Sequence, residues 1–497
     1  MRIKTILLFV AISAALGACS DFLDIAPKNA VVPSNFFQSE ADFVQAVNGA
    51  YAPLQSMYNN SSSWAMGEMR SDNTHFFYNN DFRSPMPEEI DEFVNGAENT
   101  VTADRYYINF DMIARANKIL SVIDDANLDK AKSDNFKGQV LFLRALAYFD
   151  LVRYYGGVPL PLTPATDLGS ATLPRSTAEE VYTQIIADAT EAAALLPVRA
   201  NQEAGRATSG AAWMLLGDVH LTRKNWAEAE TALLKVTGYT LLGDYAAVFS
   251  PSNKNNQESV FEVQYLQGTS LNLSSSFPYA FVPLTPDYTK LTLGPVGSQS
   301  ASGSGWNIPT DDLLASYESR TADKRFSASI GFLTGPSTVS DTSYVNLPYI
   351  KKYQYPHSVF NQTNTNFPVY RYAETLLMLA EAANEQGKLA DAQRYLNQVR
   401  TRAGLGDSPA KDQTALRAAI LKERRVELAF ENKRWLDLVR TGNAISVMNA
   451  YGAKLKANPA YFYLTPASYT LTEDDLLFPI PFLEIQVNPD LKQNPGY

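Results

Sequence analysis

The sequence predicts a mainly α fold, a scaffold of helical hairpins carrying loop-rich insertions. Three observations predict it. Several long segments place apolar residues at helical spacing. One hairpin pattern occurs twice, at an offset of 163 residues. Between the two copies lies a stretch rich in Gly, Ser and Asn with isolated aromatics, the composition of long loops.

In chain order, Asp21 to Phe37 bears Pro and Asn and reads as a tether and docking segment. Residues 40–56 begin the helical pattern, with Phe43, Val47 and Ala50 at offsets 0, 4 and 7. Residues 57–100 are polar and aromatic with few periodic signals. The run DDANLDK at 124–130 lacks the Gly and the closing Glu of an EF-hand loop, and reads as a helix end. The stretch GQVLFLRALAYFDLVRYYGGVPLPL is a strong helix: Leu141, Ala145, Tyr148 and Val152 form its stripe, Gly156 caps it and Pro159 stops it.

Residues 207–236 carry Trp213, Leu216, Gly217 and His220, then Ala229 and Leu233. That spacing matches the tetratricopeptide pattern W-x2-L-G-x2-Y followed by A-x3-F, with His220 in the Tyr position. Its small residues let the two helices of a hairpin cross closely. The weaker second copy aligns Ala392 with Ala229, Leu396 with Leu233 and Val399 with Val236; its stripe is Leu376, Leu379, Ala380 and Ala383. The stretch ALRAAILKERRVELAFENKRWLDLVRTG reads as one further helix, with Leu421, Leu428, Trp435 and Val439 buried. Its charges, Glu427, Glu431 and Arg434 among them, read as a solvated, ion-paired face. Trp213, Trp226 and Trp435 sit in these helical patterns and read as core. Residues 270–368, with GPVGSQSASGSGWNIP, GPSTVSDTSY and NQTNTNF, read as long loops, which inside a folded domain are usually functional.

Composition narrows the function. Of 497 residues, 45% are apolar, enough for a large core. The formal net charge is −10 and no basic stripe occurs, which argues against nucleic acid and against a polybasic membrane patch. Cys19 is the single cysteine. It follows a positive start at Arg2 and Lys4, an apolar run from Ile6 to Leu16 broken by Ser13, and the small residues Gly17 and Ala18. This is a secretory signal whose end resembles the lipobox of bacterial lipoproteins. Cleavage after residue 18 would leave Cys19 as a lipidated first residue, with no thiol for a disulfide, a thiolate metal site or a nucleophile.

The catalytic inventory is thin. His75, His220 and His357 lie far apart in sequence, and no nucleophile elbow, P-loop or dinucleotide fingerprint is present, so no cofactor is implied. Two carboxylates suffice for glycoside hydrolysis, which 52 Asp and Glu leave open on composition alone.

Four separated segments resemble one family. They are the lipobox followed by DFLDIAP; RALAYFDLVRYYGGVPLPL; VYRYAETLLMLAEAANEQG with ERRVELAFENKRWLDLVRTG; and the ending LFPIPFLEIQVNPDLKQNPGY. In this order they resemble the SusD/RagB family of Bacteroidota outer-membrane lipoproteins. The resemblance implies a tetratricopeptide-like α-α superhelix with minor β structure. It implies a surface-exposed, lipid-anchored protein of the outer membrane that captures oligosaccharides, or peptides in the RagB branch. It also implies delivery to a SusC-like TonB-dependent transporter, without catalysis. The expected organisation is a signal peptide at 1–18, a tether at 19–39 and one domain at 40–497. Within it the helical scaffold lies mainly at 101–245 and 369–445, and the ligand loops mainly at 57–100 and 270–368.

A pyranose presents an apolar C–H face to Trp or Tyr and a hydroxyl rim to Asn, Asp, Arg or Gln. Two loop stretches offer that mixture. The first supplies Trp64, Arg70, Asp72, Asn73, His75 and Tyr78; the second supplies Tyr279 and Trp306. The competing reading for each loop aromatic is a hydrophobic cluster beneath a long loop. For Asp72, in EMRSDN, it is a brace for the loop. The C-terminal signature reads as structural.

Overall fold

The structure, a computed structural model, describes residues 36–80, 83–297, 304–338 and 343–497. The signal sequence and Cys19 lie outside these residues.

Helix α1 (Glu40–Asn59) starts at a capping box, Ser39 with Asp42, and buries Phe43, Val47 and Ala50. Helix α2 (Pro85–Glu92) opens on proline, where the missing N–H costs nothing. Asn99 caps α3 (Thr100–Ile123). The acidic run ends that helix, and Asp129 caps α4 (Lys130–Tyr155). Thr177 and Glu180 form the capping box of α5 (Ala178–Leu195). The first repeat hairpin is α6 (Ser209–Thr222) with α7 (Trp226–Leu233), and the second is α8 (Tyr372–Glu385) with α9 (Leu389–Arg402).

These helices stack in series: α1 on α3, α3 on α4, α4 on α5, α5 on α6, α6 on α7, α7 on α8 and α8 on α9. The superhelix is therefore continuous across residues 234–371, which leave it after α7 and return at α8. Helices buried on one stripe gain this stability from neighbours, not from propensity. The close crossing expected at the repeat is there. A Cβ on Gly217 would lie 2.5 Å from Leu233. Trp435 is fully buried, whereas Trp213 and Trp226 are half-buried, with the Lys235 ammonium 3.9 Å over the Trp213 ring. No helix of the described residues is long and apolar enough to cross a membrane.

The described residues contain three two-stranded antiparallel sheets. Strand β1 (Thr74–His75) pairs with β3 (Ile308–Pro309), and β4 (Ile330–Pro336) forms a hairpin with β5 (Ser343–Ile350). Strand β2 (Ser259–Val263) pairs with β6 (Phe367–Arg371), early and late in the excursion, and ties its ends together.

The stretch read as one helix at 415–442 is two: α10 (Gln413–Glu427) and α11 (Arg434–Arg440). Between them Phe430 and Asn432 take left-handed backbone angles. Leu421 is half-buried, and the charged face is not solvated. Glu427 and Glu431 are buried and meet Arg371, at 3.0 and 2.7 Å. Arg371 also holds Glu258 at 2.7 Å, Arg325 reaches Glu423 at 2.6 Å, and Lys352 reaches Glu431 at 2.5 Å. The helix break turns these carboxylates inward, toward cations supplied by the excursion. Burial alone would raise the Glu427 carboxyl, yet Arg402, Arg371 and Arg325 hold it at about 2.

The C-terminal signature packs on the end of α4. Asn494 donates to the Tyr155 and Phe478 carbonyls, and the backbone N–H of Phe478 donates to the Tyr154 carbonyl.

Candidate functional site

The EMRSDN stretch follows α1 through a short helix (Ser61–Trp64) and a π-turn (Ala65–Met69). Its polar side chains brace the scaffold. Asp72 is buried and pairs with Arg425 at 3.0 Å and Arg434 at 2.8 Å. Asn73 donates to Glu68 at 2.8 Å and accepts from Arg425 at 2.7 Å. Glu68 also accepts from the backbone of Phe430 and Asn432, which fixes the helix break; burial pushes its carboxyl up to about 7. Arg70 is enclosed, its guanidinium 4.2 Å from the Phe93 ring and 4.3 Å from that of Phe478. It donates to the carbonyls of Ile90 and Asp475.

Trp64 and Trp306 are 5% and 7% exposed, and their rings stack on each other with centroids 5.5 Å apart. Phe281 closes on Trp64 and Phe76 on Trp306. Both tryptophans are core, so neither presents a ring face to solvent, contrary to the stacking role expected of them. Tyr279 is buried too; its hydroxyl meets His357 Nε2 at 2.6 Å and its ring abuts Phe360. The two loop stretches do come together, through the pairing of β1 with β3 and a hydrogen bond from Phe77 N–H to the Gly305 carbonyl. They come together as packing.

Tyr78 differs. Its ring lies parallel to that of Tyr463, centroids 4.0 Å apart and 7° between planes. The Arg83 guanidinium sits 4.8 Å from the Tyr78 ring, and the Phe462 edge meets it at 5.4 Å. Tyr78 and Tyr463 are half-buried; Phe462 is 75% exposed. Tyr463 is held from below. Its hydroxyl meets His75 Nε2 at 2.6 Å, and His75 Nδ1 lies 2.5 Å from the buried Asp91. Tyr469 reaches the same Nδ1 at 3.1 Å. Burial raises the Asp91 carboxyl, and His75 opposes that. Both ring nitrogens of His75 are thus committed to positioning Tyr463. The arrangement offers one exposed ring, Phe462, beside half-buried Tyr78 and Tyr463, with the Arg83 guanidinium over Tyr78 paired to Glu88 and hydrogen bonds underneath.

Residues 461–463 and Arg83 were not among the sequence candidates. A signal was present: Tyr461, Phe462 and Tyr463 form an aromatic run between Pro459 and Pro466 in otherwise polar sequence. Among the described residues, no group of three or more His, Cys, Asp or Glu side chains is placed to hold a metal ion.

Two family models match the chain. One, described as the SusD family, covers residues 333–497; the other, described as starch-binding and associating with the outer membrane, covers residues 21–221. The chain is 29% identical to SusD-like protein P2 of Formosa agariphila, over 98% of this chain and 99% of that protein. It is 25% identical to the starch-binding protein SusD of Bacteroides thetaiotaomicron, over 73% of this chain and 72% of that one. A solved structure of a laminarin-binding SusD-like protein matches with a TM-score of 0.77 at 26% identity, covering 93% of this chain and 100% of that one. With the helical superhelix, the C-terminal signature and these matches in agreement, the chain belongs to the SusD/RagB family.

Proposed function

We propose that the protein is a cell-surface, lipid-anchored glycan-binding protein that captures oligosaccharides for a SusC-like TonB-dependent outer-membrane transporter, without catalysis. The observation that carries the reading is the exposed Phe462 ring, backed by the half-buried stack of Tyr78 on Tyr463. An exposed ring with a guanidinium on the neighbouring Tyr78 suits the apolar face and hydroxyl rim of a sugar. Relatives named for starch and laminarin binding support the ligand class. The sequence MRIKTILLFVAISAALGAC supports the anchor, at Cys19, and with it the outer-membrane surface.

The test is electrophoresis in native gels containing laminarin, starch or xylan. At least one glycan should retard the protein, and Phe462→Ala should weaken that retardation. Unretarded migration on every glycan, together with tight binding of peptides by calorimetry, would replace this reading with RagB-like peptide capture.

A further inference from the structure

A trough lies away from the aromatic stack, between α1, the 199–206 segment and β2. It consists of two cavities, of about 470 and 250 Å³, that share residues 203–206, Phe261 and Glu262. The larger is within the range of small-ligand sites. Their common wall is a short loop. Gly205, at φ +88°, lies directly on Gln264, and a Cβ there would come within 2.8 Å of that side chain. The loop thus bridges the trough at a position that an L side chain would strain.

The lining combines rings with amides. Tyr51 and Phe261 have ring centroids 6.4 Å apart at the floor, and Leu271, 74% exposed, forms an apolar lip. Asn48 accepts from Arg206 at 2.9 Å, and Gln55 donates to the Gln264 carbonyl at 2.7 Å. Gln264 and Asn255 exchange two amide bonds, at 2.9 and 3.0 Å. Strand β2 has a strand partner on one edge, β6. Toward the trough, its Glu262 carbonyl is already taken by the Gln264 amide. That contact disfavours an added peptide strand. The charges balance, with Arg199 and Arg206 against Glu203 and Glu262. A row of amides over an apolar floor with no net charge recognises a neutral polyol.

We infer that this trough is a second oligosaccharide site, selective for neutral sugars; the inference rests on the glycan-capture reading above. Sugar hydroxyls pair with Asn48, Gln55 and Arg206, while a ring C–H face rests on Tyr51 and Leu271.

Ala52 faces the trough from an exposed position of α1, so Ala52→Trp fills it without touching the core. The same glycan gels, with laminarin as the neutral probe and alginate as the acidic one, separate the two sites. Ala52→Trp and Gln55→Ala should each weaken retention by laminarin at least threefold, the Phe462→Ala variant should keep part of it, and the Ala52→Trp/Phe462→Ala pair should lose all. Alginate should not retard Phe462→Ala, in which the trough is the remaining site. If both trough variants migrate like the wild type while Phe462→Ala does not, the trough inference falls and glycan capture stands. If no glycan retards the wild type, both fall.

Discussion

The rings of Tyr78 and Tyr463, 385 positions apart in sequence, lie parallel with centroids 4.0 Å apart. Neither loop builds this surface alone. The first comes from the polar stretch after α1 and the second from the segment following α12 (Ala444–Ala457). Their meeting leaves Phe462 outermost.

Removing that outermost ring is the direct test of the surface. Phe462→Ala should weaken glycan binding by about 1–3 kcal/mol, the scale of one aromatic stacking contact. Because Phe462 is 75% exposed, the melting temperature should hardly move. Titration calorimetry beside a thermal melt reads both; a large loss of stability with unchanged affinity would place Phe462 in the packing.

The tryptophans should behave in the opposite way. Trp306 is packed against Trp64 and Phe76, and Trp306→Ala opens a cavity there. The expected cost is roughly 3–5 kcal/mol of stability. Affinity measured on the folded fraction should stay within about twofold. Equilibrium denaturation and calorimetry decide it, and a stable variant with abolished binding contradicts the packing role.

The support under Tyr463 can be separated from its ring. Tyr463→Phe keeps the stack and removes the hydroxyl that meets His75. It should cost about 1 kcal/mol of stability. The affinity loss should be smaller than that of Phe462→Ala. An equal or greater loss would mean that the hydroxyl itself contacts the sugar.

Acid sensitivity follows from Glu427. Its folded value of about 2 lies below the ordinary 4.5. A carboxyl depressed on folding contributes stability that is complete above about 4.5 and is lost as pH falls toward 2. The shift corresponds to roughly 3 kcal/mol. Glu431 is lowered in the same direction, with Arg371 and Lys352 outweighing its burial. Melts between pH 6 and 2 should therefore drop steeply below 4.5. Glu427→Gln should start less stable, by about 3–5 kcal/mol, because it leaves buried guanidiniums uncompensated, and should then show a shallower acid limb. Parallel limbs in the two proteins would contradict this assignment.

For the anchor, Cys19→Ala should shift the protein from the membrane to the soluble fraction and leave calorimetric affinity for the glycan unchanged. Persistence of the variant in washed membranes would refute lipidation at Cys19.

Much of the scaffold was legible in the sequence because it depends on short-range spacing. The Gly156 and Pro159 stop, the Gly217 crossing and the second hairpin each express a period or a cap within a few residues. What escaped depends on long-range partners. The break between α10 and α11 has no Gly or Pro to announce it; Phe430 and Asn432 adopt positive φ because Glu68 accepts from the backbone at 430 and 432. The carboxylates of 427 and 431 looked solvated because their partners are distant in sequence: Arg325, Lys352 and Arg371 from the excursion, and Arg402 from the end of α9. The same reason hid the aromatic surface. Composition pointed to the loop rings, yet it could not tell Trp306, buried on Trp64, from Tyr78, paired with a residue near the far end of the chain.

Because α7 packs directly on α8, residues 234–371 enter and leave the superhelix through one neck, formed by β2 and β6 and locked by Arg371 and Glu258. In evolutionary terms that makes the excursion a cassette. Its interior is nonetheless fastened to the frame elsewhere, by Trp306 on Trp64 and Arg325 on Glu423, so an exchanged cassette would have to carry those contacts as well as the charged pair at the neck.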